Sequence, residues 1–350
     1  VSIFKHAASR YTTLLLLLHL CAGSSAIARE IALNPDHPDR YVVVKGDTLW
    51  DISARFLRDP WLWPEVWQAN PQIANPHLIY PGDTIALEIR DGKPLLRLQR
   101  GRKTVKLSPR MRPQPLEQAV TTIDPEAIRH FLNRARVATS QELESAPYVL
   151  GGVAKRLLAG GMGERIYARG IKPGEPSRYG VYRVGDTYHD PDNPEEVLGR
   201  EVIRIADAVL DRGGDPATLR VTGLSREIRA GDRLLPLADD MHLDQYYIPH
   251  APRPGTKGRI IAVFGGVSMV GQYQGVVLNL GEKQGIETGH VLAVYQANGK
   301  MKDPITGEKV SLPDERAGVL LVFRTFDRIS YGLLMKSTRP VHVLDVVQTP

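Results

Sequence analysis

Cysteine is almost missing from this chain: among 350 residues only Cys21 occurs, and it lies in a segment expected to be removed. A mature chain without cysteine holds no disulfide, no zinc–thiolate site and no thiolate nucleophile, so ordinary hydrophobic cores must stabilise it. Long apolar runs are scarce too. The run at 14–22 is well short of the ~20 residues a membrane span needs. Lys5 and Arg10 precede it and Ala26-Ile27-Ala28 follows, the order of a secretory signal peptide cut after Ala28. Acylation of Cys21 wants a small residue before it, and Leu20 is not small. The expected protein is therefore exported, with no integral membrane segment after cleavage. A strong charge of one sign is also lacking. Loss of Lys5 and Arg10 lowers the formal charge from +6 to +4, a mild excess that suits acidic wall polymers or anionic lipid but equally plain solubility. Export, and the absence of aromatics interleaved with the basic residues, exclude nucleic acid as a partner. A chain this long predicts two or three domains.

The informative stretch is 41–88. Tyr41-Val42-Val43-Val44-Lys45 is a β-branched run suited to a strand, and Gly46-Asp47 turns the chain. Asp47 or Thr48 caps a helix whose Leu49, Ile52, Ser53 and Phe56 share one face. Asp59-Pro60 starts a second helix running to about Asn70, with Pro60 in its first turn. A loop through Pro71, Ile73, Leu78, Ile79 and Tyr80 leads to the strand Thr84-Ile85-Ala86-Leu87. The order is β-α-α-β.

The blocks YVVVKGDTLWDIS, WQANPQI and LIYPGD, in this order and spacing, resemble the LysM family. Asp59-Pro60-Trp61-Leu62-Trp63 looks most like the version found in Gram-negative bacteria. The resemblance implies binding to N-acetylglucosamine-containing glycan, here peptidoglycan, in a shallow groove between two loops. Carried over by position, Gly46, Asp47, Thr48 and Leu49 form one wall, and Asn70, Pro71, Ile73, Leu78, Ile79 and Tyr80 the other. The chemistry fits: an N-acetyl group offers an amide to loop backbone and a methyl to apolar side chains, and Gly46 allows close approach. Leu49, Ile73 and Ile79 also suit a core. All four tryptophans, Trp50, Trp61, Trp63 and Trp67, lie here, and a module this short needs them to build its core rather than to stack sugars.

From Arg90 to Arg112 basic residues crowd, with Asp91 the sole acid. The alternating stretches 95–99 and 103–107 read as strands around the turn Arg100-Gly101-Arg102, a solvated hairpin face or a patch for anionic polymer. Pro113-Gln114-Pro115 reads as linker, and Asp124-Pro125 opens a short helix over 124–132. The strings LSPRMRP, IDPEAIRHFL and APYVLGG look like the long form of periplasmic LysM proteins of proteobacteria.

The remainder suggests an internal repeat. Tyr182, Asp190-Pro191, Glu195, Val197 and Asp232 recur at constant offset as Tyr295, Asp303-Pro304, Glu308, Val310 and Asp345. Short alternating strands, among them 218–221, 233–235, 330–334 and 342–344, are punctuated by glycine and proline, which predicts small barrels or sandwiches. The second unit resembles β-barrel modules of envelope assembly factors. The fold class expected is α+β: an N-terminal LysM (β-α-α-β) module, a linker, then two tandem β-rich domains, 146–248 and 249–350.

Catalytic signatures are missing. His37, His77, His130, His189, His242, His250, His290 and His342 show no metal-ligand spacing in sequence. His189-Asp190 falls on a repeated turn whose counterpart is Lys302-Asp303. Asp190, Asp192, Glu195 and Glu196 lack the calcium-loop glycine and final glutamate. The glycine clusters at 151–152, 160–163 and 265–266 are neither phosphate loops nor a nucleophile elbow. A lone carboxylate pair has no sequence signature. The expectation is a non-enzymatic wall-binding adaptor without cofactor, whose β-rich domains meet other envelope proteins. The alternative is a peptidoglycan glycosidase or an activator of one.

Overall fold

The computed structural model describes residues 31–67, 79–99, 120–123, 135–152, 158–159, 161–174, 176–237, 247–264, 269–296 and 299–350. The expected leader, the strand at 103–107 and the helix at 124–132 lie outside them.

The N-terminal module pairs strand β1 (Arg40–Val42) with β2 (Thr84–Arg90), Tyr41 opposite Ile85. Between them come helix α1 (Leu49–Phe56), a 3₁₀ turn (Pro60–Leu62) and helix α2 (Trp63–Trp67). Leu49, Trp50, Ile52, Ser53 and Phe56 of α1 are buried, as the helical spacing requires. All four tryptophans are at most 6% exposed and belong to one core cluster, so they build the module rather than decorate it.

The strand expected at 95–99 is present as β3 (Lys93–Gln99) and pairs with β2, while 103–107 lie outside the described residues. Asp91 and Gly92 both have positive φ, 51° and 74°, the conformation of a tight turn whose twist suits a two-residue hairpin. The acidic exception in the basic stretch is thus the turn residue, and among the described residues the module's sheet has three strands.

Two barrels follow, with β4 (Ala135–Ala138) and helix α3 (Ser140–Ser145) leading into the first. Its strands are β5 (Tyr148–Gly152), β6 (Arg165–Arg169), β7 (Arg178–His189), β8 (Val197–Arg212), β9 (Ala217–Leu224) and β10 (Arg233–Pro236). Their pairings close a ring β8-β9-β6-β5-β10-β7, and β4 adds outside β8. The second barrel uses β11 (Lys257–Val263), β12 (Gly275–Leu278), β13 (Val291–Gln296), β14 (Glu315–Thr325), β15 (Ser330–Ser337) and β16 (Val346–Gln348). Its ring runs β14-β15-β12-β11-β16-β13, the same order in the same chain sequence. The architecture is α+β, with two β-rich barrels in tandem behind the module.

A four-residue turn recurs at 44–47, 80–83, 229–232, 287–290 and 342–345. In each the fourth N–H donates to the first carbonyl, and the fourth side chain accepts from the first N–H. The third residue has positive φ: Gly46, Gly82, Gly231, Gly289 and, unusually, Leu344 at 77°. The stretch 342–344, expected as strand, is therefore mostly this turn, because Asp345 draws its carboxylate back onto the His342 N–H.

Strand β14 explains how the parts join. Ala317, Leu320 and Val322 face the interior of the second barrel, while Val319, Leu321 and Phe323 point outward. Tyr331, Leu333 and Met335 of β15 continue that outward face. It stays dry because the N-terminal module and the first barrel pack on it, so these residues share one core cluster with Trp50, Phe56 and Trp61 and with Val137, Tyr188 and Leu198. Tyr273 Oη donates to Asp51 Oδ1 at 3.2 Å, and Arg316 bridges Asp59 at 3.2 Å across the same seam.

Candidate functional site

The groove is built from two of the recurring turns. In 44–47, Gly46 at φ 98° reverses the chain, and the Asp47 carboxylate accepts from the Val44 N–H (2.8 Å) and the Tyr41 hydroxyl (2.9 Å). Burial, then this hydrogen bond, pushes the Tyr41 phenol above its ordinary pKa. In 80–83, Asp83 accepts from the Tyr80 N–H at 3.0 Å. The turns are laced to each other: Val43 N–H donates to the Asp83 carbonyl and accepts through its own carbonyl from Gly82 N–H, both at 2.8 Å. The two walls are therefore fixed in spacing.

Helix α1 opens at the first wall, and all four donors of its first turn are accounted for. Thr48 caps it, accepting from Asp51 N–H at 3.1 Å, and Ile52 N–H reaches the Thr48 carbonyl at 3.0 Å. The remaining two, Leu49 N–H and Trp50 N–H, point at the carbonyls of Thr121 (2.9 Å) and Thr122 (3.2 Å). From the second wall, the Ile79 carbonyl accepts from Val120 N–H at 2.8 Å. Residues 120–123 thus lie across the space between the walls, with Val120, Thr122 and Ile123 buried. Nothing in the sequence announced this; the segment is 41 residues beyond Ile79.

Six of the ten residues expected at the glycan site are described. Gly46 is exposed, and Asp47 and Tyr80 are half-buried. Thr48 is spent as a cap. Leu49 and Ile79 are 2% and 0% exposed, with side chains in the core cluster. These exposures include the cover given by Val120 and Ile123, which share the cluster. Asn70, Pro71, Ile73 and Leu78 lie outside the described residues.

Two other clusters carry chemistry. His250 and His290, forty residues apart and so invisible to a spacing search, stack edge to face at 4.5 Å beside Glu287. His290 Nδ1 accepts from Glu287 N–H at 3.0 Å, so the neutral ring carries its proton on Nε2 and has no lone pair left for a cation. Burial first, then His250, lowers the His290 pKa, and Glu287 opposes this. In the first barrel, burial and then the Asp186 carboxylate raise the pKa of Glu201. Among the described residues no helix is long and apolar enough to cross a membrane.

Comparison with known proteins places this geometry. Residues 41–87 match the LysM domain family, so the N-terminal module is a LysM domain, a peptidoglycan-binding module. The chain is 35% identical over 60 residues to the uncharacterized protein YqbP of Bacillus subtilis (strain 168). The match covers 14% of this chain and spans 27% of the length of that protein.

Proposed function

We propose that this protein binds the N-acetylglucosamine-containing strands of peptidoglycan through the groove of its LysM domain, and thereby fixes a rigid double-barrel scaffold to the wall without catalysis. The observation that carries the reading is the convergence of the Leu49 and Trp50 N–H groups with the Ile79 carbonyl between two laced turns. An acetamido group needs an N–H donor for its carbonyl and a carbonyl acceptor for its N–H; both kinds converge here, held in this structure by residues 120–122. The scaffold role rests on the seam. Because the LysM domain shares a core with the second barrel, wall binding sets the orientation of that barrel, as a domain on a slack tether would not. The first barrel is tied on through Arg328–Glu196 at 2.7 Å. Identical ring order and matching turns at Asp232 and Asp345 favour two copies of one unit, each presenting an outer surface to envelope partners. The leader-like order at 1–28 and the DPWLW block favour the periplasm of a Gram-negative cell.

One observation favours a second reading, a wall glycosidase: Glu201 is held toward its protonated form beside Asp186, as a general acid is. The full chain incubated with purified sacculi tests both. Co-sedimentation without released muropeptides or new reducing ends supports the adaptor, with weak affinity because one shallow groove must offset the loss of rigid-body freedom. Release that disappears in Glu201→Gln moves the conclusion to the glycosidase. A chain that neither pellets nor cleaves ends both readings.

A further inference from the structure

Residues 120–123 occupy the space assigned above to the sugar. Their contacts copy what an acetamido group would make: carbonyls on the Leu49 and Trp50 N–H groups, and an N–H on the Ile79 carbonyl. Val120 and Ile123 anchor the segment in the same cluster as Leu49, Trp50 and Ile79. The other two N–H groups of residues 49–52, those of Asp51 and Ile52, are held by Thr48. One detail shows that docking is not optimised for permanence. The Thr122 hydroxyl is fully buried and finds no hydrogen-bond partner among the described residues, which weakens the docked state relative to an apolar isostere.

We infer that residues 120–123 are a built-in competitor for the glycan: a strap that must leave the groove before peptidoglycan binds there. This rests on the groove being the glycan site, as proposed above. Strap and sugar compete for the same three backbone groups, so the apparent affinity is the intrinsic affinity reduced by the fraction of chains with an open groove.

The signs of two substitutions separate this from a purely structural role. Thr122→Val replaces the unpaired hydroxyl by a methyl, tightens the strap, and should lower affinity for sacculi severalfold while raising the melting temperature. Val120→Ala with Ile123→Ala loosens it and should raise affinity by about tenfold or more while lowering the melting temperature. In a merely structural segment, the stabler variant binds as well as or better than the parent. That pattern would overturn the inference.

Since the double variant may fold poorly, a second measurement uses the unaltered full chain. Hydrogen exchange is followed with and without a hexamer of N-acetylglucosamine. Displacement predicts that the Val120 amide loses protection as the hexamer saturates, while the Leu49 and Trp50 amides keep theirs. Saturation with Val120 still protected would show that the strap is a fixed wall and leave glycan binding intact. If neither hexamer nor sacculi bind any form of the chain, including the loosened one, the groove reading itself fails and the strap's role falls with it.

Discussion

Leu49 N–H donates to the carbonyl of Thr121 at 2.9 Å, joining the first turn of a helix to a residue 72 positions later. The bond is local in its physics, because a helix start has orphan donors that must find acceptors. It is global in its consequence, because the acceptor comes from the chain that leads away from the LysM domain.

Ile79 separates core from ligand wall. Its side chain is fully buried, so Ile79→Lys forces an ammonium into the cluster of Trp61 and Phe56. The expected cost is ~3 kcal/mol or more, enough to threaten the module. Near-ultraviolet circular dichroism of the tryptophans should collapse. A native spectrum combined with lost sacculus binding would return Ile79 to the sugar wall.

The recurring turn makes a pair of predictions of opposite sign. Leu344 has the left-handed φ that costs a non-glycine residue ~1–2 kcal/mol, so Leu344→Gly should stabilise, less ~0.4–1 kcal/mol for the freer unfolded chain. Gly231 has φ 90° with open space around the missing side chain, so Gly231→Leu should cost ~1–2 kcal/mol through backbone strain alone. Urea midpoints measure both. Equal signs would contradict the shared turn.

His290 predicts acid sensitivity. Its folded pKa is lowered, chiefly by burial, so below the ordinary value of 6.5 the unfolded chain takes up a proton that the folded chain refuses. Stability contributed by neutral His290 is present above that value and is lost as pH falls through the window beneath it. Protonation also sets Nδ1–H against the Glu287 N–H. His290→Asp supplies the acceptor used in the other turns and should flatten the loss of melting temperature between about pH 7 and 5.5. Parallel curves would remove His290 as the cause.

Glu201 predicts the reverse dependence. Its folded pKa is raised, first by burial and then by the Asp186 charge, while hydrogen bonds from the Asp186 backbone and then the Tyr188 hydroxyl partly oppose this. The folded state therefore holds the proton more tightly, and stability falls as pH rises through the window above the ordinary 4.5. Glu201→Gln should raise the melting temperature at neutral pH and lose that advantage near the ordinary value. A gain that is the same at both would mean the carboxylate is not the source.

What the sequence determined by itself was local. Gly46-Asp47 wrote a turn, Thr48 a cap, Leu49, Ile52 and Phe56 a buried helix face, and Asp190 and Asp303 closed turns on their own following amides. Each depends on residues within four positions, where spacing and side-chain chemistry suffice. The β3 hairpin was legible too, in the turn pair Asp91-Gly92. Tertiary structure alone decided the rest. The outward faces of β14 and β15 became a platform because both faces of those strands are apolar, and apolarity does not name what will cover it. His250 met His290, and residues 120–123 met the groove, because strands and turns far apart in sequence closed over one core. Backbone N–H and C=O groups are the same at every residue, so the one contact that occupies the groove leaves no mark in the amino-acid alphabet.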